Sequence, residues 1–372
     1  MNNSWMYNLK DEILGFLDSL NENNFNFYPV KKGLTNAGKE IQLGFLCYAT
    51  KIYYIIGEWD EFSEEKKDEI IKKINSFQSS TSRFSQNSFI DIMYIKAFKK
   101  FNIKKYLKEK AKFLLNTFFK KNYILEKQKL EEFVNAETKQ AISTLFQVKS
   151  KNNKIYENSI IKKDNITNYL ESLDWSKPWN AGAQFSSLCL FVSTQIYDDK
   201  YKNKHKEELK TFLSSITDED TGAFFNGEKP NNKELINGAM KILTGLDWLD
   251  VKVPYPEKLI DTCLKTKPES EGCDLVDIVY VLYMCNQLTN YKKEEIKDYY
   301  QAVISEIEKH YYKEHGGFSY YKNYSQKYYY GSKISKGLNE PDLHGTLLLV
   351  WAISMISKLV DLPSGKWRTL KP

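Results

Sequence analysis

Two kinds of apolar segment alternate along this chain, and the alternation limits what it can fold into. One kind is lysine-rich with a single apolar face: about 62–76, 104–120, 204–216, 255–266 and 291–311. The other is apolar nearly all round and opens on small or polar residues: about 39–57, 88–100, 137–148, 181–197, 236–249, 274–288 and 343–360. Both carry the 3.6-residue period of an α-helix. A helix apolar on every side must be buried, and a one-faced helix can cover it. The pattern predicts an all-α chain whose inner ring of helices is wrapped by an outer one. Nine prolines and 17 glycines are too few for the turns of a sandwich or barrel. No biased linker divides residues 1–372, so one domain is expected.

The inner segments share a short repeat. Asn180-Ala181-Gly182-Ala183-Gln184, Asn237-Gly238-Ala239-Met240 and His344-Gly345-Thr346-Leu347 each set a polar residue and then a glycine at the head of an apolar helix. Two loops echo one another as well, Asp220-Thr221-Gly222-Ala223-Phe224 and Glu314-His315-Gly316-Gly317-Phe318. Repeated units of this kind bury their faces on their neighbours. The expectation is that Gly182, Gly238 and Gly345 gather at one end of a central cavity.

Charge excludes some partners. Of 54 basic residues only Arg83 and Arg368 are arginine, so bidentate guanidinium recognition of phosphate or carboxylate is not the main device. Runs such as Glu64-Glu65-Lys66-Lys67 mix both signs and read as solvated helix faces, so nucleic acid is not expected as a partner. No run of about 18 apolar residues predicts a transmembrane helix. The start, Met1-Asn2-Asn3-Ser4-Trp5, lacks an export pattern, and the five cysteines are scattered through apolar stretches. Both point to a cytoplasmic, reducing location.

The Gly-headed helices, the glycine-phenylalanine loops, Gly272-Cys273-Asp274-Leu275-Val276-Asp277 and Asp342-Leu343-His344-Gly345-Thr346 resemble the α/α toroids of the terpenoid-cyclase and protein-prenyltransferase superfamily. They also resemble uncharacterised bacterial members associated with surface-sugar biosynthesis. The resemblance covers 134–360 best and implies an (α/α)6 toroid. It implies a funnel lined by the N-terminal ends of the inner helices, where helix dipoles favour negative charge.

Polar residues at those ends are the site candidates. His344, His315, Asp342, Asp277 and Tyr320 carry the groups for acid-base chemistry, with an aspartate orienting a histidine. Trp179, Asn180, Gln184, Asn237, Asp274, Tyr280, Tyr321, Glu137 and Gln140 are candidates for substrate contact. Capping is the plainer reading of Asn180, Asn237, Asp274 and Asp342, and likewise of Asn135. His205 and His310 fall in lysine-rich segments and are expected at the surface. The prenyltransferase likeness implies a zinc set of Cys273, Asp274 or Asp277, and His344. Cys273 stands before the aspartate rather than after it, however, so neither metal nor organic cofactor is expected. The leading expectation is a sugar-processing enzyme of surface glycan biosynthesis acting on a sugar or sugar nucleotide. Isoprenoid chemistry is the alternative, and a non-catalytic glycan- or protein-binding toroid is the third reading.

Overall fold

The computed structural model describes residues 3–100, 102–119, 123–268 and 271–372. Twelve described helices have nine residues or more: α1 (Leu9–Leu20), α2 (Leu43–Ile55), α3 (Glu64–Ser76), α4 (Ile103–Phe119), α5 (Glu126–Gln147), α6 (Pro178–Gln195), α7 (Asp199–Ile216), α8 (Asn232–Leu249), α9 (Pro256–Leu264), α10 (Gly272–Asn286), α11 (Lys293–Glu308) and α12 (Leu343–Ile356). The described strands are two residues long and pair only into three antiparallel ladders. They are β1 and β2 (Gln78–Ser79, Ser88–Phe89), β3 and β4 (Tyr311–Tyr312, Gly317–Phe318), and β5 and β6 (Tyr328–Tyr329, Ser332–Lys333).

Packing closes six helices into a ring. The order is α2, α5, α6, α8, α10, α12 and back to α2, with α3, α7, α9 and α11 laid outside it. The inner helices are the segments apolar all round, as their patterning requires. In α12 every residue is buried except His344. At about 1.5–3 kcal/mol for each fully buried large aliphatic side chain, this one helix is a major part of the core.

Neighbouring inner helices run parallel. Asn237 of α8 meets Asp274 of α10 near both helix starts, and Asp247 meets Tyr280 further along. Gly272 lies against Leu348, and Tyr280 against Trp351, along α10 and α12. Close approach of α6 to α8 depends on missing side chains. A Cβ on Gly238 would stand 2.6 Å from that of Pro178, and one on Gly245 3.0 Å from Cys189 Sγ. Gly182 faces Gly238 at this crossing, and Gly345 packs on Tyr320 beside Gly272, so the three glycines do share one end of the ring.

Several local expectations need correction. Segment 88–100 is not an inner helix but β2 followed by a short helix, Ile92–Lys99. Helices α6, α8 and α5 begin upstream of the expected caps, at Pro178, Asn232 and Glu126, with Lys177, Asn231 and Leu125 in the capping positions. Asn180, Asn237 and Asn135 therefore lie within helical turns. Asp274 lies inside α10, whose N-cap is Glu271. Asp342 alone of these caps its helix, accepting from the Gly345 N–H at 2.8 Å. His205 and His310 are fully buried, not surface residues. Segment 104–120, expected to cover an inner helix, forms α4 with no buried residue.

Candidate functional site

The site is built where the N-terminal ends of the inner helices converge. A cleft of about 200 Å³ opens between the starts of α6, α8 and α10, walled by Trp179, Lys233, Asn237, Cys273, Asp274 and Tyr320 among others. Asn237 Nδ2 donates to Asp274 Oδ1 at 2.9 Å, and Lys233 Nζ lies 2.7 Å from Asp274 Oδ2. These contacts hold the Asp274 carboxylate in place at the mouth.

His344 is the most informative residue. Its Nδ1 lies 3.0 Å from Gln326 Oε1, and because an amide oxygen only accepts, this pairing places the proton on Nδ1. Nε2 then keeps its lone pair. The ring stacks on Tyr48 with centroids 4.7 Å apart and planes 4° from parallel, and Tyr320 packs against it at 5.3 Å. Burial and the nearby Lys241 ammonium push its pKa down to about 3. The imidazole is therefore neutral near pH 7 and able to accept a proton. The aspartates do not orient it. Asp342 Oδ2 accepts backbone N–H groups from Tyr320 and Gln326, at 2.7 and 3.0 Å, so its part is to shape the loop that carries Gln326.

Asp277 lies one turn beyond Asp274, is fully buried, and neither carboxyl oxygen has a hydrogen-bond partner among the described residues. Burial lifts its pKa to about 7, against the opposing pull of Lys241. Lys241 thus lies within electrostatic range of both Asp277 and His344. Glu137, on α5, is a second buried acid. Its Oε1 accepts from the Tyr329 hydroxyl at 3.1 Å while Oε2 has no partner. Burial and the charge of Asp91 hold it well above the carboxylate range. Tyr329 arrives on the β5–β6 hairpin and lies against Gly44 of α2, where any side chain would collide with its hydroxyl.

The sequence reading missed three lysines inside the ring. Lys51 Nζ donates to Ser143 Oγ at 3.0 Å, and Lys139 Nζ to Ser186 Oγ at 2.6 Å. Lys241 is half-buried one helix further round, close enough that its charge and that of Lys51 repel Lys139. Desolvation, with those like charges second, lowers Lys139 to about 7, and desolvation lowers Lys51 to about 8. Among the described residues, no carboxylate lies within 4.0 Å of any of the three ammonium groups. Lys51 is the lone cation of the apolar helix α2, and that was the available signal there; α5 and α8 carry other charged residues that hid Lys139 and Lys241. Gln326 and Tyr48 were missed too; Gln326 lies in a loop with no periodicity, and Tyr48 reads as ordinary core.

Other expected residues fall elsewhere. His315 lies in the turn between β3 and β4 and lines a separate surface cleft of about 320 Å³ with Glu12, Lys31 and Lys313, so it does not join His344. Tyr280 is buried with its hydroxyl beside Asp247, and it packs the wall rather than facing a ligand. Gln140 donates to the Gly44 carbonyl at 3.1 Å and ties α5 to α2. Gln184 is half-buried and accepts from the Tyr169 hydroxyl at 3.3 Å. Trp179 and Asn180 are exposed at the rim, and Tyr321 is half-buried, stacked on Tyr324.

The zinc set does not assemble. Cys273, Asp274 and His344 do not bring their ligand atoms together; the Cys273 thiol, pushed up to about 12 by burial, hydrogen-bonds with Tyr320. The described residues hold one converging set, Asp164, His205 and Glu208, within 4.8 Å. There Nδ1 lies 3.0 Å from Glu208 and Nε2 3.7 Å from Asp164, on opposite sides of one ring. A single ion cannot use both nitrogens, and Lys204 already pairs with Asp164. We read this set as a clasp that fastens α7 to the preceding segment, where Thr167 also donates to Glu208.

No family model matches the chain, and no curated protein matches it. Among solved structures, a polysaccharide lyase aligns over 97% of this chain and 99% of its own, at 11% identity and a TM-score of 0.48.

Proposed function

We propose that the ring cavity is the active site of a carbohydrate-processing enzyme whose substrate is a sugar bearing a carboxylate. The observation that carries this is a neutral His344, fixed through Nδ1 and near Lys241, with Lys139 and Lys51 further round the ring and, among the described residues, no carboxylate against any of the three. A carboxylate bound by Lys139 and Lys241 makes the adjacent C–H more acidic, because negative charge developing on the carboxyl oxygens is stabilised. His344 Nε2 removes that proton. The electron pair then either expels the neighbouring ring substituent, whose oxygen takes a proton from Asp277 or Tyr320, or is reprotonated at the same carbon. The first outcome is elimination and the second epimerisation. Trp179 at the rim offers a face for a pyranose ring, and Asn237 and Asp274 offer hydrogen bonds to hydroxyls.

A precursor or nascent surface glycan is the setting we favour, the scattered, unpaired cysteines fitting a reducing compartment. The prenyltransferase form of the isoprenoid alternative is not favoured, because Cys273, Asp274 and His344 do not converge. The test is incubation with matched oligosaccharides that do or do not contain a uronic acid, following unsaturated-product absorbance and solvent deuterium incorporation. Turnover or exchange confined to the acidic series and lost in His344→Gln supports the reading. Retention of an acidic glycan with neither signal would leave a binding protein instead.

A further inference from the structure

Helix α4 is amphipathic with its faces reversed. Its polar side is turned inward. Lys105 donates to the Phe98 carbonyl at 2.6 Å and pairs with Glu126 at 2.9 Å, Glu109 accepts from the Glu126 N–H at 2.7 Å, and Lys112 donates to the Ile124 carbonyl at 3.1 Å. Asn116 exchanges two 2.9 Å hydrogen bonds with Tyr123. Positions 105, 109, 112 and 116 share one helix face by their three- and four-residue spacing.

The opposite face is apolar and open. Ile103, Leu107, Leu114 and Phe118 follow the same spacing and are 64%, 60%, 50% and 72% exposed. Phe113 and Phe119, at 56% and 69%, add exposed apolar surface near the C-terminal end, off the stripe itself. A protein of this size rarely leaves such a patch in water unless something covers it. Lys104, Lys108 and Lys110 are exposed along its edges, while Glu109, the helix's one acid, is occupied on the inner side.

We propose that α4 docks the protein on an anionic lipid surface, its apolar stripe entering the headgroup boundary and its edge lysines meeting lipid phosphates. The charge decides the occupant. A second copy packed stripe to stripe would set three lysines against three, whereas an anionic bilayer satisfies the apolar face and the cations together. Membrane surface helices have this composition: low mean hydropathy, lysine borders, and phenylalanine and leucine on the inserted side. The inference is independent of how the cavity is read.

The experiment uses the full chain in flotation with vesicles of phosphatidylcholine alone, or of phosphatidylcholine with roughly one-third phosphatidylglycerol. We expect binding to the anionic vesicles that weakens with salt and falls about fivefold for each of Lys104→Gln and Lys108→Gln. It should be abolished in Leu107→Asp/Phe118→Asp. Because those side chains are exposed, the double variant should melt with the wild type, which separates lost docking from lost folding. In Phe118→Trp the indole emission should shift to the blue on anionic vesicles only. Absence of binding by the wild-type chain, or binding that survives the double substitution, would overturn the proposal. So would a lipid-independent dimer that Phe118→Asp dissociates and that does not bind vesicles, since the stripe's occupant would then be a second copy.

Discussion

His344 and His205 are both held at Nδ1, yet the inner ring and the outer layer give them opposite settings. His205 lies between Glu208 and Asp164, and both nitrogens face carboxylates. Its ring also packs edge-on against Tyr201. His344 is held at one nitrogen by a neutral amide, burial and a nearby lysine oppose its charged form, and among the described residues its second nitrogen meets no carboxylate. The comparison teaches that an imidazole's job is set by what faces Nε2. A carboxylate there makes a fastener, and an empty cavity makes a base.

The sharpest way to break the comparison is to make the same substitution in both places. His344→Gln should lower turnover by about 10²–10⁴ while the melting temperature stays near that of the wild type. His205→Gln should do the reverse, costing about 1–3 kcal/mol of stability through the fully buried ring's lost packing and its bond to Glu208, with turnover per folded molecule unchanged. Chemical denaturation and steady-state rates on the same two samples decide it. Equal rate losses would show that His344 has no special part in the chemistry.

The difference between these histidines was only half legible in the sequence. His344 stood out because it heads the most apolar helix, and the structure leaves it as the one residue of α12 that is not fully buried. His205 was misplaced, since a lysine-rich segment reads as wet although one face of it packs inward. Periodicity finds a face but not what the face meets. The same limit hid α4, whose apolar stripe was expected on the core and points to solvent. The ring itself was readable because a helix apolar on all sides has one solution, burial. Asn237 and Asp274 were harder, since helices that begin upstream turned expected caps into cleft-wall residues. Lys51, Lys139 and Lys241 were passed over because lysine is nearly always a surface residue, and a buried one is recognised only from the apolar neighbours around it.

Asp277 sharpens the acid half of the proposed chemistry. With its pKa raised to about 7 by burial, the protonated form that can donate is lost as pH climbs through that value. His344, at about 3, stays neutral across the same window. Turnover should therefore be level from about pH 5 to 6 and decline above 7. Asp277→Asn should lower the level about 10- to 100-fold and remove the decline. An alkaline limb that persists in this variant would assign it to Lys139, whose charge is lost over the same range, and not to Asp277. The lysines predict a different signature. Lys139→Met and Lys241→Met should lower kcat/KM for an acidic glycan by at least about tenfold each, through kcat as well as KM, because their charges meet both the bound carboxylate and the negative charge that develops on it.

The smallest effect expected is at Glu137, where stability and not rate is read. Its folded pKa is raised well above the ordinary 4.5, chiefly by burial, so the native state keeps a proton that the unfolded chain releases. The stabilisation tied to that proton is complete below about pH 4.5 and is lost as pH rises toward the folded pKa. Glu137→Gln keeps the shape and the acceptor for the Tyr329 hydroxyl but cannot ionise. The variant should be within about 1 kcal/mol of the wild type at pH 4 and gain on it steadily up to pH 8. His344 carries the opposite sign. Its lowered pKa leaves the wild type level with His344→Gln above about pH 6.5, and the wild type loses on the variant as pH falls toward 3. Denaturation midpoints for both variants across that range should therefore run in opposing directions with pH. If the two difference curves ran in parallel, the cavity would not be the desolvated, lysine-influenced space that sets these two groups apart.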